Sequence, residues 1–180
     1  MNIDYDKGLV LIAGPVRSGK SQWAEKIASL SPSVKYIATH STSDNSTGWN
    51  NRLKKHKQRR LSSWKLIETS DIVSILEESN ATDTLLIDSL GGVVAHSLSL
   101  NTGDWELLCS QIISSLKAYN GLVIIVIEEV GWSVSPSTEI GNLFRDRIGD
   151  LSQLLHNIST SSWLVLHNRA INIDEHSIKI

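Results

Sequence analysis

Leu9-Val10-Leu11-Ile12-Ala13 runs directly into Gly14-Pro15-Val16-Arg17-Ser18-Gly19-Lys20-Ser21, an apolar stretch followed by a complete GxxxxGKS pattern. Strand, glycine loop and helix in that order are the context in which the pattern reads as a phosphate-binding loop. Gly14 and Gly19 let main-chain N–H groups curl around phosphate oxygens, and a helix opening at about Lys20 directs its free N–H groups at the anion. Lys20 then reaches the β- and γ-phosphates, and the Ser21 hydroxyl is placed to ligate Mg2+. The pattern needs a helix behind it. Gln22 to Leu30 supplies one, with Trp23, Ile27 and Leu30 on one face and Pro32 ending it.

The segments beyond the loop repeat the alternation. Val34 to Thr39, Trp64 to Ile67, Thr84 to Asp88, Leu122 to Glu129 and Trp163 to Leu166 read as strands, and Ile171 with Ile173 as an edge strand. Ile72 to Glu78, capped by Ser70 or Asp71, Trp105 to Lys117 and Ile140 to Ile158 carry helical spacing. The continuous apolar run from Leu122 predicts a central parallel strand covered on both faces. The sum is an α/β layered fold with a mostly parallel sheet and right-handed crossovers. A chain of 180 residues is long enough for one well-buried core and short for two, so a single domain over 1–180 is expected.

Composition narrows the class. A net charge of -2 argues against general nucleic-acid binding, and no apolar run approaches the roughly twenty residues that span a bilayer. The N-terminal residues, with Asp4 and Asp6, predict no secretory signal. The single Cys109 excludes an internal disulfide and fits a reducing cytoplasm. His40, His96, His156, His167 and His176 show no metal spacing. Trp23, Trp105 and Trp163 read as core, whereas Trp49, Trp64 and Trp132 lie closer to the ligand segments.

Ligands of open α/β sheets collect beyond the carboxyl ends of the strands, where this sequence puts acids. Asp88 is read as holding the magnesium ion opposite Ser21, or else as the cap of a following helix. Of Glu128 and Glu129, a strand aims only one at the phosphates; Glu129 is read as general base or metal ligand, with a solvated loop start as the alternative. Arg52, Lys54, Lys55, Lys57, Arg59 and Arg60 surround His56. Such cations attract a polyphosphate and hold the imidazole neutral, as a covalent nucleophile requires; the alternative is a solvated charged face.

The chain resembles the bifunctional adenosylcobinamide kinase/adenosylcobinamide-phosphate guanylyltransferase family. The likeness runs through the Gly14 to Ser21 loop, Tyr36-Ile37-Ala38-Thr39, Trp49, Arg52-Leu53-x-x-His56-Lys57-x-x-Arg60-x-x-x-Trp64, Glu68, Asp88, Glu129-Val130-Gly131-Trp132, Pro136 and Phe144-Arg145-Asp146-x-x-Gly149-x-x-x-Gln153. The resemblance implies a RecA-like P-loop fold in a homotrimer. It implies phosphorylation of adenosylcobinamide by ATP or GTP, then GMP transfer from GTP to adenosylcobinamide phosphate through a guanylylated histidine, here His56. Arg52, Lys57 and Arg60 would hold the triphosphate and Glu68 would contact guanosine. The corrinoid would lie at a subunit junction. Other readings are a P-loop kinase of another small alcohol and a non-catalytic nucleotide-binding regulatory protein. The sequence departs from the family's pattern at Gly48, Ser89, Gly91, His96, Glu128, Ser152 and Asn168.

Overall fold

The computed structural model describes residues 5–40 and 63–180. The described strands form one seven-stranded sheet in the order β3-β2-β4-β5-β1-β6-β7. They are β1 (Gly8–Gly14), β2 (Val34–Ala38), β3 (Lys65–Glu68), β4 (Thr84–Asp88), β5 (Leu122–Glu128), β6 (Ser161–Leu166) and β7 (Arg169–Asn172). Every pairing is parallel except that of β6 with β7, so the sheet is mostly parallel with an antiparallel edge. Residues of one strand go alternately to two cores. Leu9, Leu11 and Ala13 pack on one face with Leu85, Ile87, Val123, Ile125 and Ile127. Val10 and Ile12 pack on the other with Leu86, Ile124, Val126 and Trp163. Burial on both faces is why β1 and β5 read as unbroken apolar runs.

Helix α1 (Lys20–Ala28) covers the second face through Ala24, Ile27 and Ala28. On the first face lie α2 (Ile72–Glu78), α3 (Leu90–His96), α4 (Thr102–Ala118) and α5 (Glu139–His156). Short polar side chains fix where several helices start. Asp71 accepts from Ser74 N at 3.1 Å, Asn101 from Asp104 N at 3.0 Å and Thr138 from Gly141 N at 3.2 Å. Buried Arg147 on α5 donates to Ser97 O at 2.6 Å and Leu100 O at 2.7 Å, closing the carbonyls beyond α3. Its guanidinium also lies 4.9 Å from the Trp105 ring.

Three details correct the sequence reading. α1 ends at Ala28, leaving Leu30 53% exposed instead of on the inner face. Ile173 does not extend the edge strand; it opens α6 (Ile173–His176), whose amides at Asp174 and Glu175 are capped by Asn172 Oδ1. The segment after Asp88 is a helix whose N-cap position is Ser89, so Asp88 is not its cap residue. Tryptophans 163 and 105 are core as expected, and Trp23 is half-buried, meeting Trp163 edge-on at 5.2 Å.

Candidate functional site

The parallel strands bring the ends of β1, β2, β3, β4 and β5 to one edge. Gly14 is level with Glu128, and Ala38 is level with both Glu68 and Asp88. The loop from Gly14 to Gly19 leaves this edge and returns into α1. Its shape depends on conformations that side chains resist. Gly19 has φ 102°, and Arg17 lies in the left-handed region at φ 60°. A Cβ on Gly14 would meet Ser18 Oγ at 2.8 Å and the Val165 carbonyl more closely still, so the loop folds tightly on itself there.

This loop has unused polar capacity. The Ser18 hydroxyl is buried without a hydrogen-bond partner among the described residues. The start of α1 has no side-chain cap and no acid in its first turn. Unsatisfied amides at a helix start favour an anion. Lys20 Nζ donates to Pro15 O at 3.2 Å, folding back over the loop's own backbone. Ser21 is half-buried on the first turn of α1.

Each strand-end acid has a different setting. Asp88 Oδ2 accepts from the Tyr36 hydroxyl at 2.5 Å, which ties the end of β4 to β2. Glu128 accepts from the Ser89 hydroxyl and, at 3.0 Å, from Gly91 N. Glu129 donates its main-chain N–H to Gly14 O at 3.0 Å, so it stands at the head of the loop. Glu129 is half-exposed and lines a groove of about 650 Å³ together with Glu128, Arg145, Gln153 and His156. Glu68 is exposed at the end of β3. Trp64 stacks on Tyr36 with centroids 6.3 Å apart, and Trp132 is 60% exposed.

The donors present suit Mg2+. Hydroxyl and carboxylate oxygens are hard ligands, and Mg2+ takes few protein ligands when phosphates supply the rest. Among the described residues no group of three or more His, Cys, Asp and Glu forms an all-protein metal cage. Ser21 and Asp88 offer one hydroxyl and one carboxylate, and the buried Ser18 hydroxyl is a further polar atom of the loop without a partner among the described residues.

The structure thus collects Gly14 to Ser21, Asp88, Glu129 and Glu68 at one sheet edge. His56, Arg52, Lys57 and Arg60, with Trp49 and Gly48, lie outside the described residues. Sequence reasoning missed Tyr36 as partner of Asp88, and Thr39, whose hydroxyl donates to Ser89 O at 2.6 Å and accepts from Ser89 N at 2.9 Å. It also missed the contact of the β6–β7 turn with the loop. His167 (φ 49°) and Asn168 (φ 59°) form the two-residue turn, and Asn168 N donates to Ser18 O at 2.8 Å. An Asn between two strand-like runs was the available signal, but its distance from the loop in sequence hid the contact.

Fold and site define an α/β protein with a mostly parallel sheet and its polar groups gathered at the carboxyl edge. The same architecture occurs in an ATPase from the type III secretion system of pathogenic bacteria. That match has a TM-score of 0.57 at 13% identity and covers 88% of this chain and 51% of the other. Residues 10–173 match the profile of the cobinamide kinase / cobinamide phosphate guanyltransferase family, and the chain belongs to that family. It is 31% identical to the bifunctional adenosylcobalamin biosynthesis protein CobP of Pseudomonas aeruginosa over 153 residues, 81% of this chain and 85% of that protein. With the bifunctional adenosylcobalamin biosynthesis protein CobU of Escherichia coli it shares 26% identity over 181 residues, 92% of this chain and 99% of the other.

Proposed function

We propose that the protein is a RecA-like P-loop transferase that phosphorylates adenosylcobinamide with ATP or GTP and then transfers GMP from GTP to adenosylcobinamide phosphate. The observation that carries this reading is the placement of Glu129. Its backbone is bonded to Gly14 at the head of a loop whose helix start is uncapped, and the residue lines an open groove. Family membership supports the substrate.

In the kinase step the amides from Gly14 to Gly19 and the first turn of α1 surround the phosphates. Lys20 exchanges its present carbonyl partner, Pro15 O, for phosphate oxygens. Ser21 and Asp88 hold Mg2+, which when bound offsets phosphate charge. Glu129 accepts the proton of the attacking alcohol, and the γ-phosphoryl–oxygen bond breaks as the new ester forms.

For GMP transfer, His56 attacks the α-phosphorus of GTP. A P–N bond forms, the α–β bridge breaks and pyrophosphate leaves; a phosphate oxygen of the acceptor then displaces the histidine. Arg52, Lys57 and Arg60 offset charge at the α-phosphorus and Glu68 contacts guanosine. The corrinoid lies at a junction of a homotrimer in the cytoplasm, with no part for nucleic acid or membrane insertion. Among the described residues no helix is long and apolar enough to cross a membrane.

Nucleoside diphosphate release measured with cobinamide and with a panel of simple amino alcohols tests the kinase step. Release that requires cobinamide and falls by at least about a hundredfold in Glu129→Gln is expected. Equal release with any small alcohol would favour a kinase of another substrate. Tight GTP binding without release or labelling would favour a regulatory protein.

A further inference from the structure

Ser89, Gly91 and Glu128, separated in sequence, are in contact. The Glu128 carboxylate takes the Ser89 hydroxyl and the Gly91 amide, the latter at 3.0 Å, and so caps the first turn of α3, where the cap residue Ser89 makes no side-chain cap of its own. Gly91 is required by this arrangement. A Cβ there would stand 2.8 Å from Glu128 Oε2 and 3.0 Å from both Cδ and Oε1. On its other side Ser89, only 1% exposed, is gripped through both backbone polar atoms by Thr39. Thr39 also donates its main-chain N–H to Asp88 O at 3.3 Å. Next to Ser89 in the chain is Asp88, fixed at its carboxylate by Tyr36.

We propose that Glu128 is a positioning residue for the metal-binding acid: by holding Ser89 and Gly91 from β5, it sets the corner at which Asp88 meets Mg2+. This rests on the reading of Asp88 as metal ligand. In this reading Glu128 orients and does not ligate: one oxygen takes the Ser89 hydroxyl and the other the Gly91 amide, both at the start of α3. The Glu128 charge is directed to a serine hydroxyl and a helix amide, where a carboxylate is favourable. Partners that orient a metal ligand commonly change metal affinity by about 10- to 100-fold when removed.

The two residues act through one carboxylate, which gives a sharp test. Binding of mant-ADP is followed as MgCl2 is titrated, with no acceptor present, and repeated without metal. Glu128→Ala raises the Mg2+ concentration for half-saturation by about tenfold and leaves metal-free binding unchanged. Gly91→Ala displaces the carboxylate and does the same. The double variant also shows about a tenfold rise, not about a hundredfold, because the same contact is lost only once. Glu128→Gln, which can accept from Gly91 N and donate to Ser89 Oγ, stays near the wild type.

Additive shifts in the double variant, or unchanged Mg2+ dependence in both single variants, would overturn the proposal. Asp88→Asn in the same titration separates the two levels. If it shifts the Mg2+ midpoint while Glu128→Ala and Gly91→Ala do not, the positioning role alone falls. If it shifts nothing, the metal reading falls and takes this inference with it. Should Glu128→Ala fail to fold, Gly91→Ala against Glu128→Gln carries the comparison, with metal-free binding reporting an intact loop.

Discussion

Replacing Gly19 by alanine perturbs the loop at the point where it enters α1. Gly19 holds φ 102° and ψ 4°, outside the range comfortable for an L-residue, so the backbone term alone is about 1–3 kcal/mol. The new Cβ would also stand 2.6 Å from Asn168 Oδ1 and 3.4 Å from Asn168 Cα. Asn168 can turn its amide away, but its main chain is fixed by the bond to Ser18 O at 2.8 Å, so we add only about 0.5–1 kcal/mol. The total of roughly 1.5–4 kcal/mol appears partly as lost stability, about 2–4 °C in Tm per kcal/mol for a chain of this size. The rest appears in binding, because relaxing φ at Gly19 rotates the amides that would face the phosphates. If all of it fell on binding, affinity would drop about 10- to 900-fold. Nucleotide titration by fluorescence, beside thermal unfolding, measures both parts. Adding Asn168→Gly removes the clash but not the backbone term, so recovery is partial. Wild-type affinity and Tm in Gly19→Ala would refute the reasoning, and full recovery in the double variant would refute the backbone part.

Two further outcomes concern the scaffold. Arg147→Met keeps apolar bulk but removes the Arg147 donor from Leu100 O and from Ser97 O, which keeps only the Leu100 N–H, and removes the contact with Trp105; urea unfolding should show a loss of about 2–4 kcal/mol with an unchanged m-value, and a loss below about 0.5 kcal/mol would contradict it. Burial pushes the Cys109 thiol up to about 11, against a smaller opposing effect of Arg147, and burial followed by the Asp83 charge pushes Tyr119 up to about 12. Both groups are harder to ionise folded than unfolded. Their contribution to stability is therefore complete below the unfolded values and is lost as pH rises through the folded ones. The urea midpoint should fall between about pH 9 and 12, less steeply in Cys109→Ala; a flat profile would refute the assignment.

The core strands were legible because burial on both faces leaves a run such as Leu122 to Ile127 with no polar member. Their order was not, since periodicity says nothing about which strand lies beside which; hence Tyr36 on Asp88 and Asn168 on Ser18 came only from the structure. Helix α3 was hidden by Gly91 and Gly92, poor helix formers that are present because Glu128 and Thr39 occupy the space of a side chain. The four-residue α6 did carry a signal, Asn172 ahead of Asp174 and Glu175, but Ile171 and Ile173 suggested strand alternation more strongly. The placement of Gly14 to Ser21, Asp88 and Glu129 at one sheet edge was readable because each follows directly on an apolar parallel strand, whose carboxyl end fixes where it lies.

The central claim is that one nucleotide site serves both phosphoryl transfer and GMP transfer through His56. Incubation of the protein with GTP labelled at the α-phosphate tests it most directly. The account predicts acid-labile, alkali-stable label on the protein, none on His56→Ala, and release of that label as a guanosine diphosphate ester when adenosylcobinamide phosphate is added. A folded wild type that binds GTP yet takes up no label, or a His56→Ala variant labelled as fully as the wild type, would contradict it.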